Sequence, residues 1–307
     1  MSGEDASGRD VNGTVDAGAR AQEFEAARGQ LFAVAYRMLG SIADAEDVLQ
    51  DAYLRWQSGD RTDVESTPAY LTTVVTRLCL DLLGSARVRR EQYVGPWLPE
   101  PLISSVDDAP ADRAELADSS SMAFLVLLES LTPLERAAFL LREVFGYDYA
   151  EIGRMLERDE PACRQLVSRA RGHIDARRPR FEASRDESER LTGEFLQACG
   201  TGDVAALMSL MSPDVVLWSD GGGVVSAARR PIVGADNVAR FLVGIAQSEF
   251  VSAGGDVTAE GTVVNGSPGA IVRVHGVPSA VMALDLLGGQ VVGVRIVRNP
   301  EKLTRVP

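Results

Sequence analysis

The sequence predicts a multidomain chain: two all-α domains, the second a helix-turn-helix, followed by an α+β domain with a curved antiparallel sheet. Three observations predict it. Apolar residues recur at three-and-four spacing through residues 24–86 and again after Ser121, the period of helices with one buried face. A Pro-rich, acidic stretch separates these helical blocks. Beyond Asp186, short helical runs mix with β-rich runs, which marks a different kind of domain. The length of 307 residues suits two or three domains, and 45% hydrophobic with 24% charged residues is the balance of a folded, soluble chain.

Residues 1–20 are rich in Gly, Ser, Asp and Ala and read as a disordered leader. Phe24, Ala27, Leu31, Val34, Ala35 and Met38 then line one helix face, which Gly40 ends. A second helix begins near Asp44 and buries Ala45, Val48, Leu49, Ala52, Tyr53 and Trp56. A third opens with Thr67 as N-cap and Pro68 at its first position, and buries Leu71, Val74, Val75, Leu78 and Leu82. Residues 92–118 carry Pro96, Pro99, Pro101 and Pro110 with Asp107, Asp108, Asp112, Glu115 and Asp118, the composition of a linker or extended arm. Helices resume at Ser121. Thr132-Pro133-Leu134-Glu135 combines a capping box with proline at the first helical position. A short helix from Asp148 to Glu157, a tight turn, and a helix opened by Pro161 and running to Ala176 give the helix-turn-helix pattern. Further on, helices at Leu191–Cys199, Val204–Leu210 and Ala235–Gln247 accompany strands at Val215–Trp218, Asp256–Val264, Ala270–Val274, Ala280–Leu287 and Gln290–Val297. Gly288-Gly289 is the turn between the last two strands.

Composition excludes several classes. The longest apolar run, Met122–Leu128, is far below the roughly 20 residues that cross a bilayer. Glu4, Asp5 and Asp10 give the N-terminus none of the character of a signal peptide, so a cytoplasmic location is expected. Cys79, Cys163 and Cys199 are odd in number and far apart, and read as reduced thiols rather than a disulfide or metal set. With 31 basic and 44 acidic residues, net −13, non-specific coating of nucleic acid is excluded. Charge is uneven, however: Pro161–Arg180 holds six arginines against one acid, and a basic segment in an acidic chain needs a partner. No cofactor is implied.

Two helix faces carry candidate chemistry. On the second helix, Asp44, Asp47, Asp51 and Arg55 lie opposite the apolar stripe, with Glu46 and Gln50 beside them. This is either a solvated face with acids near a helix N-terminus or a docking surface for a basic helix. On the helix from Pro161, the residues Cys163, Leu166, Val167, Ala170 and Ile174 face the core. Pro161, Gln165 and Ser168 then point outward, flanked by Arg164, Arg169 and Arg171. Gln and Arg make paired hydrogen bonds to base edges, and the flanking arginines suit phosphates, so this helix is expected to bind DNA.

These motifs resemble those of extracytoplasmic-function (ECF) sigma factors. Phe24–Trp56, with its run Asp44-Ala-Glu-Asp-Val-Leu-Gln-Asp51, is similar to region two, whose helix binds core RNA polymerase; Thr132–Ile174 resembles region four, which reads the upstream promoter element. By the same resemblance, Arg77, Asp81, Arg87, Arg89 and Arg90 face the melted promoter. Tyr93-Val-Gly-Pro-Trp-Leu-Pro-Glu-Pro101 resembles the linker motif of a group with a fused C-terminal SnoaL-like extension, a cone-shaped polyketide-cyclase-like domain of the nuclear-transport-factor-like fold. Asp220-Gly221-Gly222-Gly223 and Asn299-Pro300-Glu301-Lys302-Leu303 resemble the two motifs of that extension and are expected to be regulatory. Val224 departs from the pattern, which continues into lysine. The resemblance implies a leader at 1–20, region two at 21–91, a linker at 92–118, region four at 119–180 and the regulatory domain at 186–303. It implies core RNA polymerase and promoter DNA as partners and no catalysis; His275, near a strand end, has no evident acid–base partner, and a small-molecule ligand in the C-terminal domain is more plausible than turnover. The alternative is a cyclase-like enzyme or ligand-binding protein fused to a helix-turn-helix repressor.

Overall fold

The computed structural model describes residues 9–58, 64, 66–91, 93–104, 121–175 and 185–307. The chain divides into two compact units, Met1–Ala86 with Leu131–Arg171, and Arg87–Ser130 with Gly172–Pro307. The acids Asp107, Asp108, Asp112, Glu115 and Asp118 and the arginines Arg177, Arg178 and Arg180 lie outside the described residues. Among the described residues, no helix is long and apolar enough to cross a membrane.

The first unit is helical. α1 (Arg9–Leu39) packs on α2 (Ile42–Ser58) through Leu31, Val34, Ala35, Met38, Val48 and Leu49, all buried. Its first turns fall in the stretch expected to be a leader: the Ala, Arg, Gln and Glu that follow Ala17 are good helix formers and carry the helix back to Arg9. Gly40 ends α1 in the left-handed region (φ 67°) with its N–H on the Tyr36 carbonyl at 2.7 Å. Trp56 closes the far end, donating from Nε1 to the Arg20 carbonyl at 3.0 Å. α3 (Thr67–Glu91) buries Leu71, Val75 and Leu78, and at its end Leu83 takes the inward position expected of Leu82. After α5 (Pro133–Phe139), capped by the Thr132–Glu135 box, the helix widens into a π-helical turn, Leu140–Val144. The helix-turn-helix is α6 (Tyr149–Leu156) and α7 (Glu160–Asp175). α7 starts one residue before Pro161, because Asp159 accepts the Ala162 N–H at 2.8 Å and acts as the cap. Gly153 makes the tight turn possible: a Cβ there would lie 2.7 Å from the Arg158 carbonyl oxygen.

The second unit is a seven-stranded sheet in the order β1-β4-β5-β6-β7-β2-β3. The strands are β1 (Ile103–Ser104), β2 (Met211–Asp220), β3 (Ile232–Val233), β4 (Val257–Val264), β5 (Ser267–Val274), β6 (Val277–Leu287) and β7 (Gln290–Val297). All pairs are antiparallel except β2–β7, which departs from a purely antiparallel sheet because the chain crosses through a helix and four strands before β7 returns beside β2. Register shifts in the β2–β7, β5–β6 and β6–β7 pairs curve the sheet. Period-two alternation splits β6 between two cores. Met282, Leu284 and Leu286 face helices α8 (Arg185–Thr201), α9 (Val204–Leu210) and α10 (Ala235–Ser252), whose Phe195, Leu207 and Val238 fill that side. Val281 and Ala283 face the other core, built with Leu98, Leu303 and Met122 of α4 (Met122–Leu128). The extended segment after Tyr93 and helix α4 are therefore parts of the C-terminal unit. Asp285 and Arg295 form an ion pair on this second face, both almost wholly buried; burial pushes the Arg295 guanidinium down to about 9.

Candidate nucleic-acid interface and a buried carboxylate clamp

On α2, Asp47, Gln50, Asp51 and Arg55 are exposed and Asp44 is half-buried, so the structure brings the predicted face together. Glu46 turns away from it onto Arg28 at 2.6 Å. Leu54 stands in the middle, 57% exposed, and sequence reasoning missed it. Its place at i+4 from Gln50 and i+7 from Asp47 was the available signal. A leucine ringed by carboxylates suits a basic surface with an apolar centre.

Arg77 on α3 is engaged inside the first unit. It donates to the Met155 and Arg154 carbonyls, both at 3.1 Å, and pairs with Glu157 at 3.2 Å, so it caps the negative C-terminal end of α6. Asp81 is exposed. Arg87, Arg89 and Arg90 continue α3, with side chains outside the described residues. Tyr147 adds a second tie within this unit, accepting from Gln30 and donating to Thr72, each at 3.1 Å.

On α7, Cys163, Val167, Ala170 and Ile174 are buried, Leu166 is half-buried, and Arg164, Gln165, Ser168, Arg169 and Arg171 are exposed. The three arginines sit beside acids of the helix-turn-helix unit: Arg164 on Glu160 at 2.6 Å, Arg169 near Glu135 at 3.9 Å, and Arg171 on Glu143 at 2.7 Å. Arg164 also lies over the Tyr149 ring at 4.5 Å.

The three motifs of the C-terminal unit meet at one carboxylate. Asp220, at the end of β2, has no exposed surface. Its Oδ1 accepts from the Tyr93 hydroxyl at 2.6 Å and the Gly222 N–H at 3.1 Å. Its Oδ2 accepts from the Leu98 N–H and from Lys302 Nζ, both at 2.8 Å. The Lys302 ammonium also lies over the Trp97 and Tyr93 rings, at 4.4 and 5.0 Å. Asn299 closes the ring: its amide donates to the Tyr93 oxygen at 3.0 Å, its backbone N–H reaches the Asp220 carbonyl at 2.9 Å, and its Oδ1 caps Glu301 in the short helix Pro300–Lys302. Leu303 then enters the second core. Gly221, Gly222 and Gly223 give the room: a Cβ at 222 would lie 2.5 Å from the Asn299 side chain, and one at 223 would lie 3.1 Å from Val94, both at positive φ. Asp220 already has a cation in Lys302, so Val224, 67% exposed, leaves no buried charge unpaired. Burial first, then the Asp220 hydrogen bond, pushes the Tyr93 phenol well above its usual value. Tyr93, Trp97 and Leu98 were visible as a motif but not as site residues, because contacts so distant in sequence leave no local pattern.

His275 occupies a turn at φ 50° and pairs with Asp256 at 3.1 Å, both largely exposed. The helix-covered side of the sheet is filled by Phe195, Leu207, Met211 and Leu284.

Residues 24–89 match the Sigma-70 region 2 family and residues 121–174 the Sigma-70, region 4 family. The ECF RNA polymerase sigma factor SigJ of Mycobacterium tuberculosis is 38% identical over 296 residues, 93% of each chain. Its crystal structure aligns with a TM-score of 0.74 at 35% identity, over 92% of this chain and 98% of that one. The probable ECF sigma factor SigI of the same species is 33% identical over 284 residues, 91% of this chain and 93% of that protein.

Proposed function

The chain belongs to the ECF RNA polymerase sigma factors, which bind core RNA polymerase and direct promoter-specific initiation, and we propose that its C-terminal unit governs that activity by holding the linker. The observation that carries this reading is the placement of Tyr93–Ser104. This segment leaves the region 2 match at residue 89 and heads toward the region 4 match at residue 121. Along the way it is bonded to Asp220, Lys302 and Asn299 and pairs as β1 with β4. Two DNA-reading regions on one chain must reach two promoter elements at once, and a linker fixed along a sheet limits how far apart they can move. Nothing in the relatives favours the alternative of an enzyme or independent repressor.

Within this reading, Asp44, Asp47, Gln50, Leu54, Asp51 and Arg55 form the polymerase-docking face. Arg164, Gln165 and Ser168 read base edges, while Arg169 and Arg171 meet phosphates. Arg87, Arg89 and Arg90, with Asp81, face the melted strand. Arg77 joins them once its bonds to α6 open. The direct test is to mix the full chain with core polymerase and a library of duplexes randomised upstream. The expected result is a shared upstream sequence that appears only when core is present and that supports run-off transcription. Selection of the same sequence without core, and no transcription with it, would favour a repressor.

A further inference from the structure

Around Arg164 the helix-turn-helix holds an arrangement that involves residues outside the docking and base-reading sets. Tyr149, the first residue of α6, carries two guanidinium groups against its ring: Arg164 at 4.5 Å and Arg142 at 4.8 Å. Arg142 is fixed in turn, donating to the Tyr147 carbonyl at 3.0 Å. Glu160, one turn before Arg164 on α7, accepts from Arg164 Nη2 at 2.6 Å. These residues, with Asp148 and Ala150, line an open cleft of about 300 Å3. Asp148 is already committed as the N-cap of α6, accepting the Glu151 N–H at 2.7 Å.

The Arg164–Glu160 pair is 57% and 46% exposed, and an exposed ion pair four residues apart adds little to stability. Its effect is on where the guanidinium sits. A free arginine loses much rotamer freedom when it engages a base; one already stacked on a ring and tied at one edge loses less. A guanidinium has five N–H donors. Of these, Glu160 engages one through the hydrogen bond described above. The remaining fork matches the O6 and N7 acceptors of guanine. We infer that Tyr149 and Glu160 are positioning residues that orient Arg164 to read one guanine-containing base pair of the upstream promoter element. The inference rests on Arg164 being a base-reading residue.

The test is selection by the holoenzyme, full chain plus core polymerase, from duplexes randomised in the upstream element, repeated with Arg164→Ala, Tyr149→Ala, Tyr149→Phe and Glu160→Gln. Arg164→Ala is expected to lower preference at one base pair by about tenfold. Tyr149→Ala is expected to lower it severalfold at that same pair, with Tyr149→Phe restoring it, because the ring and not the hydroxyl holds the guanidinium. Glu160→Gln, which alters no packing, is expected to blur the same position and carries the test if Tyr149→Ala fails to fold. If Tyr149→Ala and Glu160→Gln weaken all sequences alike while Arg164→Ala alone changes the preference, the positioning role is overturned and base reading stands. If Arg164→Ala changes no preference, both fall.

Discussion

Four donors surround the buried side chain of Asp220: the Tyr93 hydroxyl, the N–H groups of Gly222 and Leu98, and the Lys302 ammonium. Only the last is a cation. Lys302→Ala therefore leaves a buried carboxylate uncompensated, and is expected to destabilise the C-terminal unit by about 3–5 kcal/mol in denaturant titration. Tyr93→Phe removes one hydrogen bond and is expected to cost about 1–3 kcal/mol. The phenol also ties the clamp to pH. Its value is raised in the folded state, above 10.0, so the stability it contributes is fully present below that pH and is lost as pH rises through the folded value. Alkaline titration of the full chain should show Tyr93 ionising late, together with loosening of the unit. In Tyr93→Phe that late ionisation disappears.

At the scale of the element, α2 presents its acids and Leu54 on one exposed face while its apolar stripe is buried, so surface changes leave the fold intact. Asp47→Arg with Asp51→Arg is expected to weaken core-polymerase binding by about tenfold or more, with an unchanged circular-dichroism spectrum. Leu54→Ala should weaken it as well, with little change in salt dependence. Unchanged affinity in both variants would remove the docking face. The helices were legible because their signals are local: Gly40 after Leu39, Thr132-Pro133 with Glu135, and apolar residues at the period of the helix. The hairpin at Gly288-Gly289 was legible for the same reason, and its φ values of 58° and 75° are those its turn requires. Helix α4 was harder to place. Its seven residues are all apolar, which predicts burial on every side but names no partner. The sequence order groups it with region 4, yet Met122 and Val126 pack on the second face of the sheet. The parallel β2–β7 pair and the meeting of Tyr93, Asp220 and Lys302 depend on tertiary closure, which no periodicity encodes.

At the scale of the whole molecule, the C-terminal sheet supplies a core for chain segments that precede it, the linker and helix α4 at the start of the region 4 match. Leu98, Ile103, Met122 and Val126 all pack against it. A version ending near Arg180 therefore exposes that apolar set, and is expected to self-associate in gel filtration where the full chain does not. Loss of regulation and loss of solubility would be confounded in such a truncation, so the regulatory claim is better tested by opening the clamp with the sheet in place. The most direct measurement is run-off transcription by reconstituted holoenzyme from a selected promoter, comparing the full chain with Lys302→Ala at matched occupancy of core polymerase. If the clamp governs how the linker is held, the yield changes by about fivefold or more, the scale of a typical coupling between distant sites. Equal yields across promoters, with the clamp shown to be open by the earlier ionisation of Tyr93, would contradict the account.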